Sequence, residues 1–244
     1  WETNEQTNIG IDFAFMNNEL SFSADYFIRD AKDLLLYRQI RPSTGFSNVY
    51  TNAGHIRNSG FEFTAAWNKS FSDWNIGIRL NGSTLKNEAI EVGDPIFSKS
   101  GSAQDGDNYS ITQNGYPVGS YYGWKVEGIF RTQAEIDEMN RLAVEKGVES
   151  GVYQDKTTQP GDYKFVDLNG DGQITDADRT VIGNGYPKFT YGMNLTASWK
   201  NFDFSMNLYG VAGMDILSYS SARLTSVYAP DGGYQNVLKE YINN

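Results

Sequence analysis

Six stretches of the chain alternate apolar and polar side chains, the period of two that a β-strand shows when its two faces meet different surroundings. Ile9, Ile11, Phe13 and Phe15 share one face, the chain turns at Asn17-Asn18, and Leu20, Phe22, Ala24, Tyr26 and Ile28 return. That spacing predicts a tight antiparallel hairpin. A second pair runs Phe61, Phe63, Ala65 and Trp67, turns near Lys69-Ser70, and comes back through Trp74, Ile76, Ile78 and Leu80. In the third, Phe189, Tyr191, Met193, Leu195, Ala197 and Trp199 interleave with Thr190, Gly192, Asn194, Thr196 and Ser198, and Phe202, Phe204, Met206 and Leu208 follow. No charged residue falls on the apolar face of these runs. Asp12, Asp25, Glu62, Arg79, Lys188 and Asp203 all share the opposite face with Asn, Ser, Thr and Gly.

A soluble β-sandwich alternates in the same way, so parity alone does not name the medium on the apolar side. Two further features favour lipid. Trp67 and Trp74 flank one short turn and Trp199 and Phe202 another, which gathers bulky aromatics at one end of the hairpins like an interfacial girdle. Tight turns also alternate with long connections, from Arg29 to Ser59 and from Ser83 to Pro187, whereas connections in compact domains run to about 4–6 residues. The expected fold is all-β: an antiparallel transmembrane β-barrel segment with long extracellular loops. A soluble calcium-dependent carbohydrate-binding β-sandwich module is the alternative, and a barrel that does not transport, such as an adhesin or receptor, is another. Within the longest connection, Thr132-Gln133-Ala134-Glu135 reads as a capping box, Ile136, Met139 and Ala143 as a helical stripe, and Gly147 as its stop. One short helix is expected there. Strand-like pieces at Leu34 to Ile40 and Tyr121 to Phe130 fit either barrel strands or extensions above the membrane.

Composition narrows the field further. Hydrophobic residues make up 39% of the 244, and no apolar run reaches the length of about eighteen that a membrane helix needs. A barrel survives this test, because only every second strand residue faces lipid. Lys and Arg number 20 against 30 Asp and Glu, a net charge of −10, and phosphate repels such a surface, so nucleic acid is excluded as a partner. Cysteine is absent, which removes disulfides and thiolate metal sites. Trp1-Glu2-Thr3 reads as the middle of a strand and not as a signal peptide, so the chain is expected to be internal to something longer.

One motif carries chemistry. Residues 167–178 present Asp167, Asn169 and Asp171 at positions 1, 3 and 5 of a calcium loop, Gly172 at the sharp turn and Asp178 at position 12. In that reading Gln173 offers its backbone carbonyl, Thr175 a direct or water-mediated contact, and Ile174 points into the protein. Asp178 replaces the usual Glu, a shorter arm that weakens the site. Gly161 to Val166 reads as extended, so the loop is solitary, and its expected cofactor is a structural Ca2+ that stiffens an external loop. An ion-free turn rich in Asp and Asn is the other reading.

Catalysis is poorly supplied. His55 is the single histidine and reads as a hydrogen-bonding loop residue, while Asp105 and Asp107 lie in a solvated Gly/Ser/Asp stretch. No enzyme is expected. Tyr116, Tyr121, Tyr122 and Trp124 form an aromatic group able to stack on a sugar ring or pack against a peptide, and Tyr219, Tyr228 and Tyr234 form a second.

Several segments in order resemble the SusC/RagA family of TonB-dependent outer-membrane transporters of Bacteroidetes. They are Asn8-Ile9-Gly10-Ile11-Asp12-Phe13, the stretch from Asp25-Tyr26-Phe27 to Asp33-Leu34-Leu35, Asn52-Ala53-Gly54-His55-Ile56-Arg57-Asn58-Ser59-Gly60-Phe61-Glu62, Gly161-Asp162-Tyr163-Lys164-Phe165-Val166-Asp167, and Ile182-Gly183-Asn184-Gly185-Tyr186-Pro187. The resemblance implies a 22-stranded barrel with a plug, energised through TonB and capped by a SusD-like lipoprotein, importing oligosaccharide or peptide across the bacterial outer membrane. By the same resemblance, residues 1–244 are a partial receptor barrel from the C-terminal half, lacking the plug and the final strands, since Asn243-Asn244 is not the usual aromatic strand end.

Overall fold

A computed structural model describes residues 1–39, 43, 45, 48–99 and 108–218. The first strands are β1 (Thr3–Phe15), β2 (Leu20–Gln39), β3 (Asn48–Phe71), β4 (Trp74–Thr84), β5 (Lys86–Glu91), β6 (Ile96–Lys99) and β7 (Asn108–Thr112). After them come β8 (Ser120–Trp124), β9 (Val126–Ile129), the helix α1 (Gln133–Glu145), β10 (Tyr163–Phe165), β11 (Arg179–Gly183), β12 (Phe189–Trp199) and β13 (Phe202–Ala212). The chain divides into two compact units, one of Trp1–Ser120 with Gly183–Asp215, the other of Tyr121–Ile182 with Ile216–Asn244.

The first unit is an antiparallel sheet in the order β1-β2-β3-β4-β12-β13, with β5 added on β3. Among the described residues β1 and β13 are its edges and the sheet does not close on itself. Register carries the sequence parity from strand to strand without slippage through the hairpin regions. Phe13 faces Phe22, Phe22 faces Ala65, Ala65 faces Leu80, Leu80 faces Met193 and Met193 faces Leu208, so one face is apolar across all six strands. A one-residue slip anywhere would send a whole strand's apolar set to the wrong side.

The turns show how this register is fixed. Met16, Asn17 and Asn18 all take positive φ, between 54° and 69°, and Asn tolerates that left-handed backbone better than most residues. Lys200 (φ 53°) and Asn201 close the β12–β13 hairpin in two residues. The second hairpin turns later than expected, at Ser72-Asp73, with Phe71 paired to Trp74. Lys69 is therefore a strand residue on the apolar face, opposite Ile76, and the apolar face is not free of charge. It lies two pairs from the end of the strand and its ammonium reaches Glu19 at 2.5 Å, so a long stem covers apolar surface while the charge leaves at the rim.

The connection from Arg29 to Ser59 is not a loop for most of its length. β2 and β3 stay paired out to Gln39 and Asn48, past irregularities at Ala31/Leu34 and Leu34/Leu35, which makes the Leu34 piece an extension of a barrel strand. Gly60 marks where β3 changes partner from β4 to β5. A methyl there would stand 1.9 Å from the carbonyl oxygen of Thr84, backbone that has nowhere to move.

The second unit holds the helix. Thr132 caps it by accepting from the N–H of Glu135 at 3.3 Å, and Gly147 ends it at φ +85°. The Glu135 carboxylate accepts from Arg131 N–H at 2.9 Å, one residue earlier than a capping box would place it. Ile136 and Ala143 of α1 pack with Phe130 and Tyr153 into a small core, joined by Met139, Val148 and Ile174. β9 pairs with β10, and β8 with β11.

Candidate functional site

The apolar face of the sheet is layered. At the turn end, Trp74 and Trp199 stack at 5.6 Å, Trp199 and Phe202 at 6.2 Å, and Trp67 tilts on Phe71 at 6.5 Å. At the other end, Phe189 stacks on Tyr191 at 5.7 Å and on Phe63 at 6.4 Å, while Tyr26 tilts on Phe61 at 4.7 Å. Between these two aromatic rows the face is mainly aliphatic, with Ile78, Leu80, Met193, Leu195, Met206 and Leu208. From Trp199 to Phe189 is ten residues, roughly 33 Å of strand, or roughly 24 Å of height at a tilt of about 45°. An apolar band of that height between aromatic girdles is the outer surface of a membrane barrel. Large side chains on it remain open to their surroundings: Ile9 is 71%, Phe61 57% and Leu208 52% exposed. Among the described residues no second sheet covers them, and a sandwich would require one.

The opposite face combines amides and hydroxyls with the charges of Asp12, Asp25, Glu62, Arg79 and Asp203. Asn194 Nδ2 donates to Asn207 Oδ1 at 2.8 Å, Asn75 Nδ2 to the Ser198 hydroxyl at 3.3 Å, and the Ser70 hydroxyl to Asn75 Oδ1 at 2.6 Å. A shallow groove on this face is lined by Asn68, Asn75, Thr196, Ser198, Asp203 and Ser205. Amides and hydroxyls both donate and accept, so this face offers hydrogen bonds of both kinds.

The family described as TonB dependent receptor-like, beta-barrel matches residues 1–237. The chain belongs to that family. Among curated members, TonB-dependent receptor P3 of Formosa agariphila is 30% identical over 230 residues, covering 93% of this chain and 22% of its own. TonB-dependent receptor SusC of Bacteroides thetaiotaomicron is 26% identical over 262 residues, 99% of this chain and 23% of its own. The structure of the RagAB peptide importer in its open-open state matches with a TM-score of 0.64 at 23% identity, over 88% of this chain and 21% of that one. The chain thus spans about a fifth to a quarter of the length of the TonB-dependent receptors it matches. These are outer-membrane receptors and transporters, a family that is in general not enzymatic.

In the second unit of this receptor barrel chain, the acidic loop is built around its own backbone. Asp167 accepts from Gly170 N–H at 2.7 Å and Gly172 N–H at 2.8 Å, Asn169 from Asp171 N–H at 2.8 Å, and Asp171 from Gln173 N–H at 2.9 Å. Gly172 turns at φ +94°, and Ile174 sends its side chain into the α1 core and its N–H to Tyr153 O at 2.6 Å. Asp178, fully buried, accepts from Leu168 and Asn169 N–H on one oxygen and from Thr175 N–H on the other. Lys146 supplies a cation, its ammonium 2.9 Å from Gly170 O and 3.5 Å from Asp167 Oδ2. As placed, the donors are shared among N–H groups and one ammonium and do not converge, and among the described residues no three Asp, Glu or His side chains gather as a metal site.

The aromatic residues divide. Tyr116 belongs to the first unit, and Tyr121, Tyr122 and Trp124 to the second. The Arg179 guanidinium lies 4.4 Å over the Trp124 ring and 5.5 Å from that of Tyr122, and Trp124 Nε1 donates to Thr175 O at 2.8 Å. Trp124 thereby ties β8 to the end of the acidic loop. His55 lies in strand β3, not in a loop, with Nε2 2.7 Å from Asp30 Oδ1, and Arg57 grips the same carboxylate at 2.8 Å and 3.0 Å. Sequence reading missed this triad, whose members lie 25 and 27 residues apart and meet only through the β2–β3 register. Asp105, Asp107, Tyr219, Tyr228 and Tyr234 lie outside the described residues.

Burial alone would push the Asp167 carboxyl up, but the N–H groups of Gly172 and Gly170 and the Lys146 ammonium outweigh it and hold it below the usual carboxylate range. A lowered value means that ionised Asp167 stabilises the loop above about pH 4, and that this stability fades as pH falls through the depressed value. Asp167→Asn is expected to loosen residues 167–178 by about 1–3 kcal/mol at neutral pH. Hydrogen exchange of that segment should show the difference shrinking in acid; a gap of constant size would contradict the ionic origin.

Proposed function

We propose that this chain forms part of the wall of an outer-membrane TonB-dependent importer for oligosaccharides or peptides, working with a SusD-like surface lipoprotein. The observation that carries the proposal is a single sheet with an aromatic-bounded apolar face and a polar face, in a chain of the TonB-dependent receptor family. Resemblance to SusC of Bacteroides thetaiotaomicron and to the RagAB peptide importer supports outer-membrane import and the lipoprotein partner, and RagAB supports the peptide class. Gating through TonB and the plug belongs to the whole protein, of which this chain would supply a stretch of the C-terminal half.

The polar face explains why such a wall would pass solutes instead of holding them. Asn194, Asn207, Thr196 and Ser198 present single neutral donors and acceptors. Each is worth about 0.5–1.5 kcal/mol to a partner, a small barrier to leave. A soluble carbohydrate-binding sandwich is not favoured, because its apolar face would need a covering sheet.

For the acidic loop, we propose a structural Ca2+ held by Asp167, Asn169, Asp171, the Gln173 carbonyl and Thr175, with Asp178 closing it. Asp167, Asn169 and Asp171 already bend the chain as a calcium loop does, around a glycine at the sharp turn, which supports the reading. Binding would require Lys146 to withdraw and Asp178 to release its N–H partners.

In the full-length protein, Leu195→Arg is expected to block assembly, since a charge at mid-bilayer costs roughly 2–4 kcal/mol. Asn194→Arg should assemble normally and change uptake. Heat-modifiable migration of the outer-membrane fraction and a solute-uptake assay separate the two, and equal assembly defects would contradict the facing. For the loop, calcium titrated calorimetrically into the full-length protein should release heat that Asp171→Ala abolishes; identical heats would dispose of the ion.

A further inference from the structure

One large apolar ring breaks the parity of the sheet. Phe27 is odd-numbered in a strand whose even residues form the apolar face, so it stands on the polar side, yet only 7% of it is exposed. Gly60, opposite it in β3, makes room for the ring: a methyl there would lie 3.2 Å from its tip. Two residues further along β2, on the same side, the Arg29 guanidinium covers the ring at 5.1 Å from its centre. A cavity of about 370 Å³ opens beside this stack, lined by Phe27 and the polar residues Arg29, Asn58, Glu62, Ser83 and Thr190.

At one end of the cavity the polar groups are donors. Among the described residues Arg29 makes no hydrogen bond or ion pair, so its five N–H groups are uncommitted while stacking holds its plane. Asn58 faces Arg29 across the register. The buried Asn87 accepts from Val118 N–H at 2.8 Å and donates from Nδ2 to Asn58 Oδ1 at 2.7 Å. That relay uses the Asn58 oxygen, and among the described residues its NH2 group has no acceptor. A guanidinium and an amide NH2 side by side seek an acceptor, and the fork of the guanidinium matches a carboxylate.

Toward the short turns the sign reverses. Asp25 and Glu62 stand directly opposite one another on the same face, and among the described residues neither meets a cation. Like charges so placed repel. From Asn58 to Glu62 is four residues, roughly 13 Å of strand. An oligouronate, with a carboxylate on every ring, would bring its next charges against this pair. A peptide carries one carboxylate at its C-terminus and then a run of amide N–H groups, from which Glu62 and Asp25 can accept. Arg29 lies three residues past Tyr26 of the second aromatic row, the row away from the short turns. Short turns face the periplasm in this architecture, so the donor end of the cavity stands at the outer mouth, where a solute arrives first.

We propose that Arg29 and Asn58 form a subsite for the free C-terminal carboxylate of an oligopeptide entering the lumen, with Glu62 and Asp25 accepting from the amides that follow it. The proposal rests on the reading of this face as an importer wall and names the end of the solute that the wall meets first. Phe27 and Asn87 hold the two donor side chains in place, so they position the subsite without touching the peptide.

The test titrates the full-length protein calorimetrically, in detergent, with three probes: pentaalanine with a free C-terminus, its C-terminal amide, and trigalacturonate. The unmodified protein should bind the free acid about tenfold more tightly than the amide, the effect of one charge-assisted contact. Arg29→Gln should weaken the acid about tenfold and leave the amide unchanged, which erases the preference. Asn58→Asp, which sets a carboxylate beside the guanidinium, should erase it too and serves if Arg29→Gln does not assemble. Trigalacturonate should bind weakest of the three. Equal affinity for acid and amide in the unmodified protein, no binding of either, or an equal loss of both in the variants overturns the subsite and leaves the importer reading standing. Trigalacturonate held more tightly than the peptide assigns the cavity to uronates and overturns it as well. A full-length protein absent from the outer-membrane fraction sinks the importer reading and the subsite together.

Discussion

Backbone hydrogen bonding without water is the constraint on which everything else in the larger unit depends. Within hydrocarbon every N–H and C=O must find a partner in the protein, and a sheet does this only by pairing each strand on both sides. Once pairing is obligatory, the pleat sends alternate side chains to opposite media. The apolar set of β12 must then match that of β4 on one side and of β13 on the other, as the register of Leu195 with Ile78 and with Met206 shows. The edges at β1 and β13 carry the same obligation outward.

The six alternating runs and their facing were legible in the sequence because parity is a local, repeated signal that register only propagates. Turn position was less legible. Lys69-Ser70 looked like a turn because a charge and a serine interrupted the apolar pattern, whereas the chain continues two pairs further and lets the lysine stem cover the rim. The β2–β3 extension was ambiguous for a related reason. Above the membrane neither face needs to be apolar, so Asn52, His55 and Arg57 lose the alternation while keeping the hydrogen bonds.

The smaller unit was legible in part, through local chemistry. The Thr132 cap, the Ile136–Ala143 stripe and the Gly147 stop all act within a turn or two of helix, and they appear where expected. The partners of Asp178 and Lys146 were not legible. A loop sequence fixes which oxygens exist, but not whether they turn toward a central ion or toward N–H groups, and here Asp178 closes the loop on Leu168, Asn169 and Thr175. The pairing of Arg179 with Trp124 is likewise a contact across 55 residues that no spacing announces.

The central claim is that odd and even residues of one strand meet different media. Spin labels placed singly at residues 190–197 of the full-length protein in lipid vesicles would measure this directly, through collision with dissolved oxygen and with a water-soluble nickel chelate. The account predicts oxygen access at Tyr191, Met193, Leu195 and Ala197 alternating with nickel access at Thr190, Gly192, Asn194 and Thr196. Loss of that alternation, or labels at the odd positions shielded from both reagents, would mean a dry protein core on the apolar side and would contradict it.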